Sequence, residues 1–568
     1  MKTFFTFLVF LFVTLCSQSQ TIDHNYFEAN REVYFQFPIS TQADLSLLTK
    51  IISIDKVTNN TVYAYANEKE YNKFLEYGIS HTLLTSPGIV KEVKMSNKPE
   101  DLNSWDSYPT YDAYIAMMTA FQTTHPDICK IIDAGATVKG RHILFAKITR
   151  DINARGPKPQ FMYTSSMHGN ETTGYILMLR LIDTLLSSYG TDIRLTKLVD
   201  SVEIWINPLA NPDGTYHNED TTVNGATRYN ANGVDLNRNF PDPQAGQHPD
   251  GNAWQPETII MMNLIKANNF TLSANLHTGA QVFNYPWDTW KKLHPDNTWY
   301  QFIGRSFADT VHAHAVSGYM VDQANGITDG YEWYQVEGGR QDYMNYYGHG
   351  REVTIELSDD YILSASLLPT YWNYLYRSFL NYIENTYYGI RGTVKDAHGN
   401  PIKAVVTVSN HDADNSQIYS DSLTGSFYRM IAPGTYNVSF SADSFITRTI
   451  SNISVSNYVA STYNVVLDPL QPSEVTANGA FSNYSLLQNY PNPFNPSTTI
   501  EFEIPKEDNV TIKLYDILGN EIRTLLSEIK KAGHYTLLLD ASHLASGMYI
   551  YTMHSGNYVS AMKLMLTK

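Results

Sequence analysis

Apolar and polar positions change their spacing from zone to zone along the chain. Between 21 and about 100, short apolar runs at 33–35 and 61–65 read as strands, and the pattern at 68–75 reads as a helix. These predict a small α+β unit closed by the charged, linker-like stretch 91–101. From about 103 to 388, strand and helix signals alternate. The runs 143–148, 161–164, 202–206, 272–276 and 353–355 read as strands. Residues 172–187 have helical spacing, with Ile176, Leu179, Ile182 and Leu186 on one face, and 369–387 reads as a long aromatic helix. This alternation predicts an α/β unit, a mixed sheet flanked by helices. From about 389 to 468 the pattern shifts to short strands with regularly placed turns, a small β-sandwich. A Pro-rich break follows, with 469–485 as a linker, and 486–568 reads as a second small all-β sandwich.

The chain has 568 residues, too many for one core. Its 43% apolar and 17% charged content is that of a globular protein. A net charge of -16 leaves no basic footprint, so nucleic acid is not an expected partner. The 41 tyrosines, with many Asn, Ser and Thr, suit β-rich extracellular modules. Met1-Lys2 followed by an apolar run over 4–15 reads as a signal peptide covering 1–20, too short for a membrane span. Cys16 invites a lipid-anchor reading, but Leu15 before it is too large for a typical lipobox. No later segment reaches membrane-spanning length, so the mature chain is expected to be soluble and exported, without an intrachain disulfide, since only Cys129 remains. Cys129 itself reads as a small buried apolar side chain.

Ligand-type residues gather where predicted strands stop. His168 and Glu171 follow one strand, Asn211-Pro212-Asp213-Gly214 another, His277 a third, and Glu356 ends the run 353–355. In open α/β sheets ligands collect at such ends. Two imidazoles and a carboxylate are the donor set of a catalytic zinc, which keeps a further position open. Each residue alone has a bland reading: a hydrogen-bonded His, a solvated Glu, a good turn. Their order and joint occurrence carry the argument.

With those motifs in place, the segment from about 105 to 384 resembles the funnel-shaped zinc metallocarboxypeptidases (peptidase family M14). The resemblance implies one Zn2+ held by His168, Glu171 and His277. It assigns Arg228 to the scissile carbonyl, Asn237 and Arg238 to the substrate's terminal carboxylate, Tyr334 to a mobile cap, and Glu356 to catalytic proton transfer. The stretch 273–288 is similar to the carboxypeptidase D, E and N-like branch, in which Asp288 and Gln341 favour C-terminal Arg or Lys. Thr278 and Gln281 depart from that branch, and Arg340 stands where it could pair with Asp288 and cancel its pull. The implied protein is a secreted peptidase acting on peptide or protein C-termini. The rival readings are a catalytically silent carboxypeptidase-like binding module, which typically loses one of these residues, and a cell-wall peptide amidase of the same family, which commonly alters the Asn237-Arg238 clamp.

Residues 389–468 look like the transthyretin-like sandwich that follows the catalytic domain (101–388) in this branch. In the tail, Tyr490-Pro491-Asn492-Pro493-Phe494-Asn495-Pro496, Leu514-Tyr515-Asp516-Ile517-Leu518-Gly519 and Ser546-Gly547-Met548-Tyr549 resemble the C-terminal type A sorting domain of type IX secretion cargo. That implies export to the outer surface and the type IX machinery as a partner. A carbohydrate-binding sandwich is the rival, without an obvious aromatic platform. Residues 21–100 stand where the family often carries a propeptide, and an accessory domain is the alternative.

Overall fold

The structure is a computed structural model that describes residues 22–39, 42–470, 483–541 and 544–567. The expected signal peptide with Cys16, and most of the expected linker, lie outside the described residues. The chain divides into one unit up to Asp468 and a second from Pro469.

The first unit opens with the expected α+β module. Strands β1 (Val33–Pro38), β2 (Ser53–Thr58), β3 (Thr61–Ala66) and β4 (Thr82–Leu84) form a sheet in the order β2-β3-β1-β4. Helices α1 (His24–Asn30), α2 (Gln42–Leu48) and α3 (Glu68–Leu75) accompany it. Helix α3 falls on the expected residues because Asn67 and Glu70 close a capping box, each satisfying the other's backbone N–H.

The central layer is an eight-stranded mixed sheet. It comprises β5 (Cys129–Ala136), β6 (His142–Ile148), β7 (Gln160–Ser165), β8 (Glu203–Asn207), β9 (Phe270–His277), β10 (Ala280–Tyr285), β11 (Ile327–Asp329) and β12 (Arg351–Ser358). Their order is β11-β10-β12-β9-β7-β8-β6-β5. The central run β12-β9-β7-β8 is parallel, and β10 and β6 flank it antiparallel. Helices α4 (Tyr111–Thr124), α5 (Thr173–Ser187), α6 (Asn297–His312), α7 (Arg340–Tyr346) and α8 (Leu368–Glu384) complete the layers. Strands β5, β10 and β11 and helices α4, α6 and α7 are not among the expected elements. Helix α6 nonetheless has helical spacing, with Trp299, Tyr300, Ile303, Phe307 and Val311 buried.

Every residue of β7 and β9 is buried, as strands covered on both faces must be. Side chains alternate across the sheet. Phe161, Tyr163, Ala274, Leu276, Val353 and Ile355 point into the main core with α5 and α8. The alternate positions Thr164, Ser273, Asn275, His277, Glu352 and Glu356 therefore share the opposite face. In register, His277 sits beside Glu356 and Asn275 beside Thr164. Glu356 does not end its strand, as expected, but lies within it, because β12 continues to Ser358 in pairing with β10.

A β-sandwich closes the first unit. Gly389–Asp396 lies between Ser426–Arg429 and Ala460–Leu467 in one sheet, and Val405–Val408 joins Gly434–Ser441 and Arg448–Val455 in the other. Arg429 of the sandwich reaches Asp296 at 2.9 Å, which also takes Arg351 of β12. The second unit, as expected, is all-β, with sheets built around Ser497–Ile504 and Asp508–Tyr515.

Candidate active site

The turn after β7 carries His168 and Glu171. It must pass close to another backbone: a Cβ on Gly169 would lie 2.3 Å from Gly214. The approaching segment begins at Asn211, whose side chain caps the short helix Pro212–Thr215. The Asn-Pro-Asp-Gly motif is thus structural rather than a donor set, and Asp213 binds Arg141 at 2.8 Å.

Three donors converge. Nδ1 of His168 is 2.7 Å from Glu171 Oε1, Nδ1 of His277 is 2.8 Å from Glu171 Oε2, and the two Nδ1 atoms are 3.1 Å apart. Among the described residues, this is the one His/Cys/Asp/Glu group with donor atoms close enough, within 4.8 Å, to share an ion. The donor set fits zinc: both rings present the same nitrogen to one point beside a carboxylate. Each outer nitrogen is held. Nε2 of His168 faces Asp235 at 3.0 Å and Nε2 of His277 faces Asn275 at 2.6 Å. Such outer partners fix ring orientation in metal sites.

The electrostatics follow from burial. Burial opposes ionisation of Glu171, but the two imidazoles overcome it and hold the carboxyl well below its ordinary value. Burial lowers His277 to about 4 against the pull of Glu171. Burial and Arg228 oppose charge on His168, yet Glu171 and Asp235 outweigh them and raise it. Burial, then repulsion from Glu171 and Asp55, push Glu356 well above the usual carboxylate range. Oε2 of Glu356 is buried with no hydrogen-bond partner.

Arg228 joins this group. It donates to Asp235 at 2.9 Å and to Glu171 at 3.4 Å. Asp235 also caps the turn that displays Asn237 and Arg238. Oδ1 of Asn237 accepts from the Arg340 backbone at 2.9 Å. Asp288 lies in a polar recess. Its Oδ1 accepts from Asn284 at 3.1 Å and from Gln341 at 3.0 Å. A Cβ on Gly330 would stand 1.8 Å from that oxygen, so only glycine leaves the recess intact. Arg340 turns away from it into Glu352, at 2.8 and 2.9 Å. The expected possibility that Arg340 neutralises Asp288 is therefore not realised. Burial pushes Asp288 up to about 7, opposed by the Asn284 hydrogen bond and helped by Asp329.

The N-terminal module roofs this cleft. Glu32 accepts from the backbone N–H groups of Arg228 and Tyr229 at 3.0 and 3.1 Å. Arg238 donates to the Ile54 carbonyl at 3.3 Å. Lys50 pairs with Glu337 at 2.8 Å, and Tyr334 packs against the module's core. Asp55 enters the cleft, with Oδ1 3.7 Å from Nη1 of Arg228 and Oδ2 taking hydrogen bonds from Tyr34 and Tyr361. All ten expected site residues thus fall in or beside one cleft. Asp235, Asn275, Asp55 and Tyr361 were not among them. Asp235 had a signal, an acid two residues before Asn237; Asp55 had none.

Residues 114–378 match the zinc carboxypeptidase family, 389–468 the carboxypeptidase regulatory-like domain, and 488–567 the secretion system C-terminal sorting domain. Carboxypeptidase D of Mus musculus is 33% identical over 372 residues, covering 63% of this chain. The chain spans only 26% of that relative's length. Carboxypeptidase M of Mus musculus is 33% identical over 352 residues, 59% of this chain and 78% of that protein. Carboxypeptidase E of Caenorhabditis elegans is 29% identical over 422 residues, 66% and 89%. The sorting domain marks the chain for secretion, and no helix among the described residues is long and apolar enough to cross a membrane. The chain belongs to the zinc carboxypeptidase family.

Proposed function

We propose that this chain is a secreted zinc metallocarboxypeptidase that removes the C-terminal residue of peptides and proteins, favouring Arg and Lys. The observation that carries the reading is the convergence of His168, Glu171 and His277 beside Arg228 and Glu356. His168, Glu171 and His277 hold the zinc, which when bound lowers the pKa of water and polarises a carbonyl. Glu356 accepts the proton of the attacking water and returns it to the leaving amine. Its buried, unpartnered oxygen supports that role. Arg228 stabilises the developing oxyanion. Arg238 offers a planar fork for the substrate's terminal carboxylate, with Asn237 beside it. Tyr334 covers bound substrate. Asp288, oriented by Gln341 and free of any cationic partner named above, receives the guanidinium or ammonium of the departing residue.

The domain limits follow: a signal peptide at 1–20, a covering module at 21–100, the catalytic domain at 101–388, a transthyretin-like sandwich at 389–468, a linker at 469–485 and a sorting domain at 486–568 handled by type IX machinery. The covering module is an inhibitory propeptide, a reading supported by Asp55 and Ile54 occupying Arg228 and Arg238. The silent-module reading is disfavoured because no ligand, arginine or catalytic carboxylate is lost. The test is release of the C-terminal residue from matched peptides ending in Arg, Lys, Phe or Glu, with and without a zinc chelator, after removal of residues 21–100. Chelator-sensitive release of Arg and Lys is expected. Release of Phe in their place overturns the Asp288 assignment, and no release overturns the enzyme.

A further inference from the structure

A recess of about 100 Å3 opens on the seam between the N-terminal module and the catalytic domain. That is ample for one small ion, since a single water needs only about 10–15 Å3. The module contributes Lys50 to its lining, and Lys69 and Lys73 from helix α3; the catalytic domain contributes Arg238. Lys69 and Lys73 stand one helical turn apart on α3, so they share a face. Three acids also line the recess, and each is engaged. Glu337 pairs with Lys50 at 2.8 Å, Asp250 accepts from Asn239 at 2.8 Å, and Glu70 accepts from Tyr229 at 2.8 Å. Burial pushes Glu70 up to about 7, so near neutral pH it carries less than a full negative charge. Lys69 and Lys73 have no ion pair among the described residues.

Arg238 is 7% exposed, and no ion pair engages it among the described residues. Nη1 meets only its neighbour's carbonyl at 3.0 Å, Nη2 reaches the Ile54 carbonyl at 3.3 Å, and Nε is buried with no partner. A guanidinium stays charged in a protein, and burying a charge without a counter-ion is strongly unfavourable. We infer that the seam recess binds one small oxyanion, inorganic or a carboxylate, which pairs Arg238 with Lys69 and Lys73 and so ties the module to the catalytic domain. The inference rests on the proposed reading of residues 21–100 as an inhibitory cover. The site exists only while the two parts are docked, because its cations come from both. An anion that binds the docked chain and not the open one lowers the open fraction by one plus the ratio of its concentration to its Kd. The oxyanion chemistry that Arg238 is proposed to read on a substrate thus holds the cleft shut when it arrives from the seam.

The test is hydrogen exchange in the full chain, titrated with sodium sulfate at an ionic strength held constant with sodium chloride. The backbone N–H groups of Arg228 and Tyr229 bond to Glu32 of the module, so their exchange reports opening of the seam. Sulfate at about ten times its Kd is expected to slow that exchange about tenfold, with one-site saturation. Lys69 and Lys73 are exposed, and Gln has a similar helix propensity, so Lys69→Gln with Lys73→Gln keeps the module folded. The double variant should need about tenfold more sulfate or higher, the scale of losing a hydrogen bond between charged groups. Sodium acetate in place of sulfate separates the sources. Equal slowing supports a carboxylate as occupant, and slowing by sulfate alone supports an inorganic one. Exchange that ignores both anions, or that slows equally in the double variant, overturns the inference. If removal of residues 21–100 leaves arginine release no faster than in the uncut chain, the cover reading fails instead, and the exchange titration still decides the site.

Discussion

Asp55 and Arg228 face each other across the cleft, with Oδ1 of the first 3.7 Å from Nη1 of the second and both side chains almost fully buried. The carboxylate comes from a four-stranded module at the start of the chain, and the arginine from the segment that also carries Asn237 and Arg238. The module thus places an anion on the guanidinium that the proposed chemistry reserves for a developing oxyanion. Tyr361 and Tyr34 hold that anion's other oxygen. The uncut chain is accordingly expected to be latent.

Replacement of Asp55 by Asn should weaken the latch. Hydrogen bonds to charged groups contribute about 1.5–3 kcal/mol. The open fraction of the uncut chain should therefore rise on the order of 10- to 100-fold. The rate of arginine release by uncut Asp55→Asn measures this against the parent. A folded variant no faster than the parent would show that Asp55 does not hold the cleft shut.

Much of the central fold was legible because buried parallel strands and a one-sided helix leave plain patterns. The runs at 143–148 and 161–164 and the helix at 172–187 fall within a residue or two of β6, β7 and α5. His168 and His277 were legible as donors because each follows directly on an apolar run. Strand β10 was not, since its Asn284 and Gln281 break the apolar run with side chains that serve the Asp288 recess and Asp359. Asp55 was not legible either. Its sequence neighbours carry no unusual spacing, and its meaning comes wholly from Arg228, Tyr34 and Tyr361 in three other parts of the chain. Arg340 was read as a threat to Asp288, but nothing local reveals the Glu352 that claims it.

Asp288 supplies a pH dependence. Its carboxyl is raised to about 7 by burial, and only the ionised form attracts a cationic side chain. In the opened enzyme, kcat/KM for Arg-ended peptides should climb as pH rises towards about 7, and substrate binding below that pH should release a proton. Asp288→Asn should lose this limb and most of the preference for Arg and Lys. The check is a pH–rate profile for paired Arg- and Phe-ended peptides. An unchanged limb in the variant would assign it to another group.

Glu356→Gln should keep the metal site and lose turnover. The substitution preserves shape and removes the base, and general-base transfer contributes typically about 10²- to 10⁴-fold. Zinc content by elemental analysis should stay near that of the parent while peptide hydrolysis falls by at least that factor. Near-parent turnover would remove Glu356 from the chemistry.

The most direct test strips metal from protein freed of residues 21–100 and returns zinc in measured steps while arginine release is recorded. The account predicts that activity rises in proportion to bound zinc and levels off at one ion per chain, and that His277→Ala neither binds the ion nor recovers. Activity that persists after stripping, or full zinc binding with no release from any peptide, would contradict it.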